Sequence, residues 1–273
     1  PFGLHRFVGA TTALPQGLAQ LEDERHPLSD ADGRAAQVDA TQRYLERETA
    51  RLILGEPRID GRQVTVPVTV ESTAGHRFPT GHPSRRAWIR FVVRDAEGRP
   101  VFTSGSFDAM GRLLDRRGDL HESDRPGGPI HPHQDLVTGE NQVQVYESVM
   151  QDGSGNPTWL LTRGAAYRKD NRILPQGWNP DHPDADRIGP AGIAGDPDFT
   201  GGADTTRYRF TVPREAGRYT VEASLWYQSL GGRYVAELFR YRTPQVDRFR
   251  RGYEAARPGP VSVAFAGTAL ELN

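Results

Sequence analysis

Short runs of alternating apolar and polar residues, separated by glycine- and proline-bearing turns, most constrain what this chain can fold into. Val64, Val66, Val68 and Val70 alternate with Thr65, Pro67 and Thr69, and Ala87, Ile89, Phe91 and Val93 alternate with Trp88, Arg90, Val92 and Arg94. A period of two sends successive side chains to opposite faces, so each run reads as a half-buried strand. Pro67 cannot donate to a ladder, which places the first run at an edge or a bulge. The second run enters a turn at Asp95-Ala96-Glu97-Gly98, where a glycine at positive φ completes a bulged hairpin to residues 101–104.

Further strands are read over residues 142–150 and 158–163, joined as a hairpin about residues 152–156. Others span residues 206–212 and 218–228, and residues 261–265 and 268–272 form a final short hairpin. The segment G-R-Y-T-V at 217–221 looks like the start of a late strand in a fibronectin- or immunoglobulin-like sandwich, where the tyrosine bonds back to the preceding corner. Residues 34–54 read as a helix, with Asp30 or Asp32 as cap, Val38, Leu45 and Leu52 on one stripe, and Gly55 and Pro57 as its stop. A late helix is expected over 233–256 with a break at Pro244. Residues 1–33, 111–139 and 169–204 are irregular. The fold class is therefore mainly β: an antiparallel immunoglobulin/fibronectin-like β-sandwich with flanking helices and long irregular loops. Residues 1–56 are expected to be an N-terminal extended segment plus helix, and 57–273 the sandwich domain.

Composition removes several functions. A formal net charge of −1, with no long block of like charge, supplies no field for nucleic acid. No apolar run approaches the roughly 18 to 20 residues that cross a bilayer, so membrane association is expected only through a partner. There is no cysteine. Disulfides, thiolate metal sites and every Cys-x-x-Cys-His haem attachment site are thereby excluded. Gly-x-Ser-x-Gly, His-Glu-x-x-His, phosphate-loop and dinucleotide motifs are absent, which leans the reading away from an enzyme and assigns no catalytic residue. The opening Pro1-Phe2-Gly3 reads as a processed product or a fragment.

Four segments carry a resemblance: T-A-G-H-R-F-P-T-G at 73–81, S-R-R-A-W at 84–88, Y-R-K-D-N-R-I-L-P-Q-G-W at 167–178 and D-F-T-G-G-A-D at 198–204. In this order they resemble the non-haem C-terminal β-domain of bacterial periplasmic multihaem c-type cytochromes. H-R-F-V-G at 5–9 resembles the segment that joins the haem-bearing region to it. The chain departs from that family in lacking every haem attachment site. The resemblance implies a periplasmic or extracellular accessory subunit of an electron-transfer complex. Its haem c would be held by a partner cytochrome, another electron-transfer protein or an upstream region.

Candidate ligands follow. His5 is the axial-ligand candidate for a partner's haem iron. His76 and His82 flank a Phe-Pro-Thr-Gly turn that could fix both rings near a cofactor edge, and Arg85 and Arg86 could pair with haem propionates as bidentate forks. Asp196, Asp198 and Asp204 have the oxygen-rich context of an irregular calcium loop, as do Asp181, Asp184 and Asp186. That supports an alternative, a calcium-stabilised carbohydrate- or protein-binding sandwich. His131 and His133, two apart in an extended segment and thus expected to point the same way, form with His121 the ligand set of a third reading, a metal-dependent hydrolase. Trp88, Trp159 and Trp226 fall in expected strands and read as core or interface residues.

Overall fold

The alternating runs become strands of two sheets. The structure, a computed structural model, describes residues 9–21, 31–193, 195–214 and 216–272. In chain order the strands are β1 (Ala50–Leu54), β2 (Arg58–Asp60), β3 (Gln63–Ser72), β4 (Arg86–Arg94), β5 (Pro100–Ser104) and β6 (Leu136–Val137). They continue with β7 (Val145–Gln151), β8 (Pro157–Thr158), β9 (Ala166–Asp170), β10 (Ala203–Thr211), β11 (Gly217–Gln228) and β12 (Val261–Leu272). Helices are α1 (Ala13–Ala19), α2 (Ala31–Glu48), α3 (Ala185–Ile188), α4 (Gly232–Leu238) and α5 (Pro244–Ala256). One sheet runs β1-β3-β10-β6 with β2 also on β3; the other runs β12-β11-β4-β7-β8, with β5 on β4 and β9 on β7. Pairing is antiparallel except between β10 and β6. The fold is mainly β, with antiparallel and mixed sheets.

The inward faces of the two sheets share one core. Val64, Val66, Val68 and Val70 of β3 are fully buried, as are Ala87, Ile89, Phe91 and Val93 of β4 and Val221, Ala223 and Leu225 of β11. Phe91 stacks on Tyr208 of β10 at 4.2 Å between ring centroids, joining the sheets. Each large aliphatic side chain removed from water in this way is worth about 1.5–3 kcal/mol. Strand β4 is buried on both faces, because Trp88 packs into a second cluster with Leu113, Val143 and Val145 beneath the long 105–144 connection. A third cluster, around Leu230, Val235 and Tyr253, joins α4 and α5 to Ala13 of α1.

Local chemistry explains the turns. Gly98 has φ 78, its N–H bonds to the Asp95 carbonyl at 2.9 Å, and the ladder shifts register at Val93/Arg94, the expected bulged hairpin. The Tyr219 hydroxyl bonds back to Arg214 at 3.3 Å, as expected for a corner tyrosine. Helix α5 starts on Thr243, whose hydroxyl accepts from the Val246 N–H, with Pro244 in the first turn. The break expected at Pro244 thus separates α4 from α5.

Several expectations are corrected. Pro67 is neither at an edge nor in a bulge: β3 is flanked by β10 on one side and by β1 and β2 on the other. Its carbonyl accepts from Gly55, in the gap between β1 and β2, where no ladder donor is required. The helix expected to reach residue 54 ends at Glu48, and Leu52 is a core residue of β1. Pairing of β1 along residues 68–72 overrides the helical stripe. Strand β1, within the segment expected to precede the sandwich, pairs with β3 in the first sheet. The final hairpin is instead one strand, β12, paired along β11 from Leu272 to Val261. The partner of β7 is chiefly β9, while residues 161–163 form a 3₁₀ turn, so Trp159 is not in a strand.

Candidate functional site

Three of the four resemblance-bearing segments, 73–81, 167–178 and 198–204, converge on one buried polar network, while 84–88 is tied through Arg86 to Asp124, Gly111 and Gln228. Phe78, in the 73–81 segment, exchanges backbone bonds with Ile173 at 2.9 and 2.8 Å. Beside it, the buried Asp170 carboxylate receives Arg77 at 2.7 Å and both arms of the Arg172 fork at 2.7 Å. Arg172 reaches on to the Gly81 carbonyl at 3.3 Å. Lys169, the only lysine of the chain, is buried and bonds Val145 O at 2.8 Å and Glu147 at 3.2 Å. Burial pulls its pKa down, and Glu147 opposes that shift. Leu174 O accepts from Gly202, and Ser72 N–H donates to Gly202 O, tying the 198–204 segment to the end of β3.

At the centre lies His133. Its Nδ1 faces Gln144 Nε2 at 3.0 Å and Asn171 Nδ2 at 3.1 Å. Neither amide can turn over. Gln144 Oε1 accepts from the Gln134 N–H at 2.9 Å, and Asn171 Oδ1 accepts from the Glu147 N–H at 3.0 Å, so each must present its NH₂ to the ring. Nδ1 is therefore an acceptor, the proton of the neutral ring sits on Nε2, and Nε2 donates to Asp196 Oδ2 at 2.9 Å. A ring held in this tautomer has no Nε2 lone pair to give a metal.

Asp204 completes the cluster. Its side chain is fully buried, and Oδ2 accepts from the Tyr146 hydroxyl at 2.7 Å and from Gln144 at 3.0 Å. Oδ1 lies 3.9 Å from His133 Nε2 and has no hydrogen-bond partner. Burial, helped by the charge of Asp196, pushes the Asp204 pKa up to about 6 against the opposing effects of His133 and Tyr146. Since Oδ2 already accepts twice, Oδ1 is the atom that takes the proton.

The calcium set is brought together only in part. His133, Asp196 and Asp204 offer atoms within 4.8 Å of one another, and so do Asp135, Asp196 and Asp198. Asp196 Oδ1, however, accepts from the Asp198 N–H, and Asp198 accepts from Thr205 N–H and from Arg207, which also bonds Asp135. A guanidinium and backbone donors thus already compensate these carboxylates, and the set does not fit a calcium cage.

The three loop histidines do not converge. His131 and His133 point to different clusters, because the chain between them is not a flat strand. His131 stacks on His121 with ring centroids 4.8 Å apart and lies 3.8 Å from Asp124, without a partner for Nε2. Its pKa is lowered by burial, against the influence of Asp124. His121 has both nitrogens in use: Nδ1 accepts from Ser123 N–H, and Nε2 donates to Asn141 O at 2.9 Å. The hydrolase ligand set is therefore not assembled.

Arg86 is equally committed. Its fork grips Asp124 at 2.6 and 2.8 Å, and further bonds reach Gly111 O and Gln228, all in the interior. Burial alone would raise the Asp124 pKa, but the charge and hydrogen bonds of Arg86 hold it far below the usual carboxylate range. Arg86 has nothing left for a propionate. Arg85 is part-exposed and bonds the Thr80 carbonyl at 2.8 Å. His82 accepts from Ser84 N–H through Nδ1, so its proton is on Nε2, and its ring edge meets Tyr234. His76 differs: Nδ1 donates to the Arg77 carbonyl at 3.1 Å, which leaves the Nε2 lone pair available on an exposed ring. His5 lies outside the described residues.

Sequence reasoning missed Gln144, Tyr146, Asn171, Asp170 and Asp124, which hold the candidates in place. No local signal marks Gln144, Tyr146 and Asp124, whose partners lie ten or more residues away, whereas Asp170 and Asn171 fall inside the 167–178 segment, where Asp170 also holds Arg172 two residues on.

No family model matches the chain, and no curated protein matches its sequence. Among solved structures, a penta-heme cytochrome c552 from Thermochromatium tepidum is similar over 84% of this chain and 41% of that one, with 14% sequence identity and a TM-score of 0.49. The chain thus spans less than half the length of that protein.

Proposed function

We propose that this chain is a non-enzymatic, haem-free β-domain of an electron-transfer assembly, working by position and shielding. A multihaem c-type cytochrome or another electron-transfer protein is its partner, in the periplasm or outside the cell, and the haem c is held there or by an upstream region. The observation that carries this reading is the convergence of three of the four resemblance-bearing segments on one network whose polar groups bond chiefly to each other. Residues used up in mutual hydrogen bonds build a scaffold, and the one unpartnered carboxylate oxygen of the network, Asp204 Oδ1, is fully buried and so out of reach of a substrate. The immunoglobulin/fibronectin-like form of the sandwich belongs to the same reading and is supported by the Tyr219 corner. A surface such as this tunes a neighbouring haem by excluding water and by aiming dipoles at it. Two histidines remain as ligand candidates toward such a haem, His5 and, from its outward Nε2, His76.

Size-exclusion of the tagged chain isolated from its native source tests the reading. Elution with a Soret-absorbing partner is expected, with a shift of the Soret band in His5→Ala or His76→Ala if either ring ligates. Elution of the folded chain alone, without Soret absorbance, would contradict it.

A further inference from the structure

A cavity of about 320 Å³ lies between α4 and the loop after β8, apart from the network around His133. Its wall is rigid. Arg233 is buried, with Nε on Glu237 at 2.9 Å and Nη1 on the carbonyls of Ser123 and Gly128 at 3.0 and 2.9 Å. Its guanidinium lies 4.3 Å from the centroid of the Trp159 ring and braces the indole. Glu237 in turn accepts from the Gly127 N–H and from Arg240, so the acid is fully engaged.

Asp152, the cavity's other acid, spends Oδ1 on the N–H groups of Ser154 and Asn156, and Arg240 is held by Glu237. Four further polar tips have no hydrogen-bond partner among the described residues. These are the indole N–H of Trp159, the hydroxyls of Tyr234 and Tyr241, and the guanidinium of Arg163, which is exposed. Trp and Tyr tips normally find partners when enclosed, and a half-buried tryptophan with a spare N–H beside a free arginine is the composition of a binding site. Every one of these four groups can donate a hydrogen bond, and the lining's three arginines, Arg163, Arg233 and Arg240, outnumber its two acids, Asp152 and Glu237, so a ligand rich in acceptors fits. Aromatic rings together with Leu160 and Leu238 supply apolar walls, which suit a ring with a C–H face and not a small hydrated inorganic anion.

We infer that this cavity binds an acidic sugar, a pyranose unit bearing a carboxylate. Arg163 takes the carboxylate as a bidentate fork, the aromatic rings take the apolar face, and the tyrosine hydroxyls and indole N–H take ring and hydroxyl oxygens. Such a ligand would let the chain hold to an anionic polysaccharide, whatever its redox neighbour.

Calorimetric titration of the full chain tests this, with a galacturonate trisaccharide, its neutral galactose counterpart, benzoate and inorganic phosphate as probes. The acidic trisaccharide is expected to bind about tenfold or more tighter than the neutral one. Arg163→Ala, a surface change that spares the fold, should remove that difference, and Trp159→Ala should abolish binding. The inference is overturned if the four probes give no heat at millimolar concentration, if benzoate or phosphate binds more tightly than the acidic sugar, or if Arg163→Ala leaves its affinity unchanged.

Discussion

Asp204 and Asp124 are both buried carboxylates, and their surroundings drive them in opposite directions. Asp124 has a full guanidinium fork, while Asp204 has a phenol, an amide and an unpartnered oxygen beside a second acid. Raised from 3.8 to about 6, Asp204 binds a proton in the folded chain that the unfolded chain has already lost. Its contribution is fully present below about pH 4 and is lost as pH rises through 6, a change of about 2–3 kcal/mol. His131 works the other way: its folded pKa is lowered, so it removes stability as pH falls through the ordinary histidine range. Urea unfolding of Asp204→Asn beside the native chain isolates the first effect. The stability difference should grow in favour of the variant between pH 4 and 7 and stay flat above; a difference independent of pH would show that Asp204 is not proton-linked. At Arg86 the reverse applies, since Lys cannot reproduce a fork with four separate acceptor atoms. Arg86→Lys is expected to cost about 3–5 kcal/mol by the same unfolding measurement.

Elements differ in how far their own residues reveal them. Strands β3, β4 and β11 were legible because their alternation repeats over many residues and agrees with burial. Strand β4 shows the limit: its alternation reads as a half-buried strand, yet the face that carries Trp88 is covered by a second core supplied by a distant connection. The end of α2 and the start of β1 were illegible, because Ala50–Leu54 is extended only by virtue of its pairing with residues 68–72. Strand β12 was divided in two at Gly267, which lies mid-ladder opposite Glu222. The crossing of α1 and α5 was equally hidden. There Gly17 and Gly252 let two backbones meet, and a Cβ on residue 252 would stand 2.6 Å from the Gly17 carbonyl oxygen. Gly252→Ala should force the helices apart, lowering stability by about 1–3 kcal/mol and speeding amide exchange in α1 ahead of the sheets. Unchanged exchange in α1 would mean that the crossing yields without strain.

At the scale of the whole molecule, the polar network is a product of topology. His133 was assigned to a metal set and Asp196 and Asp204 to a calcium loop, yet the fold brings residues 133, 196 and 204 into one cluster and sends His121 and His131 to another. Contacts across more than sixty residues carry no local pattern, and the tautomer of His133 depends on two amides whose orientation is set by backbone donors, the Gln134 N–H beside it in the loop and the Glu147 N–H on β7. What the motifs did reveal was which segments meet. Their residues are spent on holding the two sheets and the loops together, so the electron-transfer reading assigns redox chemistry to a neighbour. Separation of the native complex, followed by haem quantification in each fraction and circular dichroism of the separated chain, tests this most directly. All haem should remain with the partner while the chain keeps its β spectrum and shows no Soret band; haem that stays with the chain through separation would contradict it.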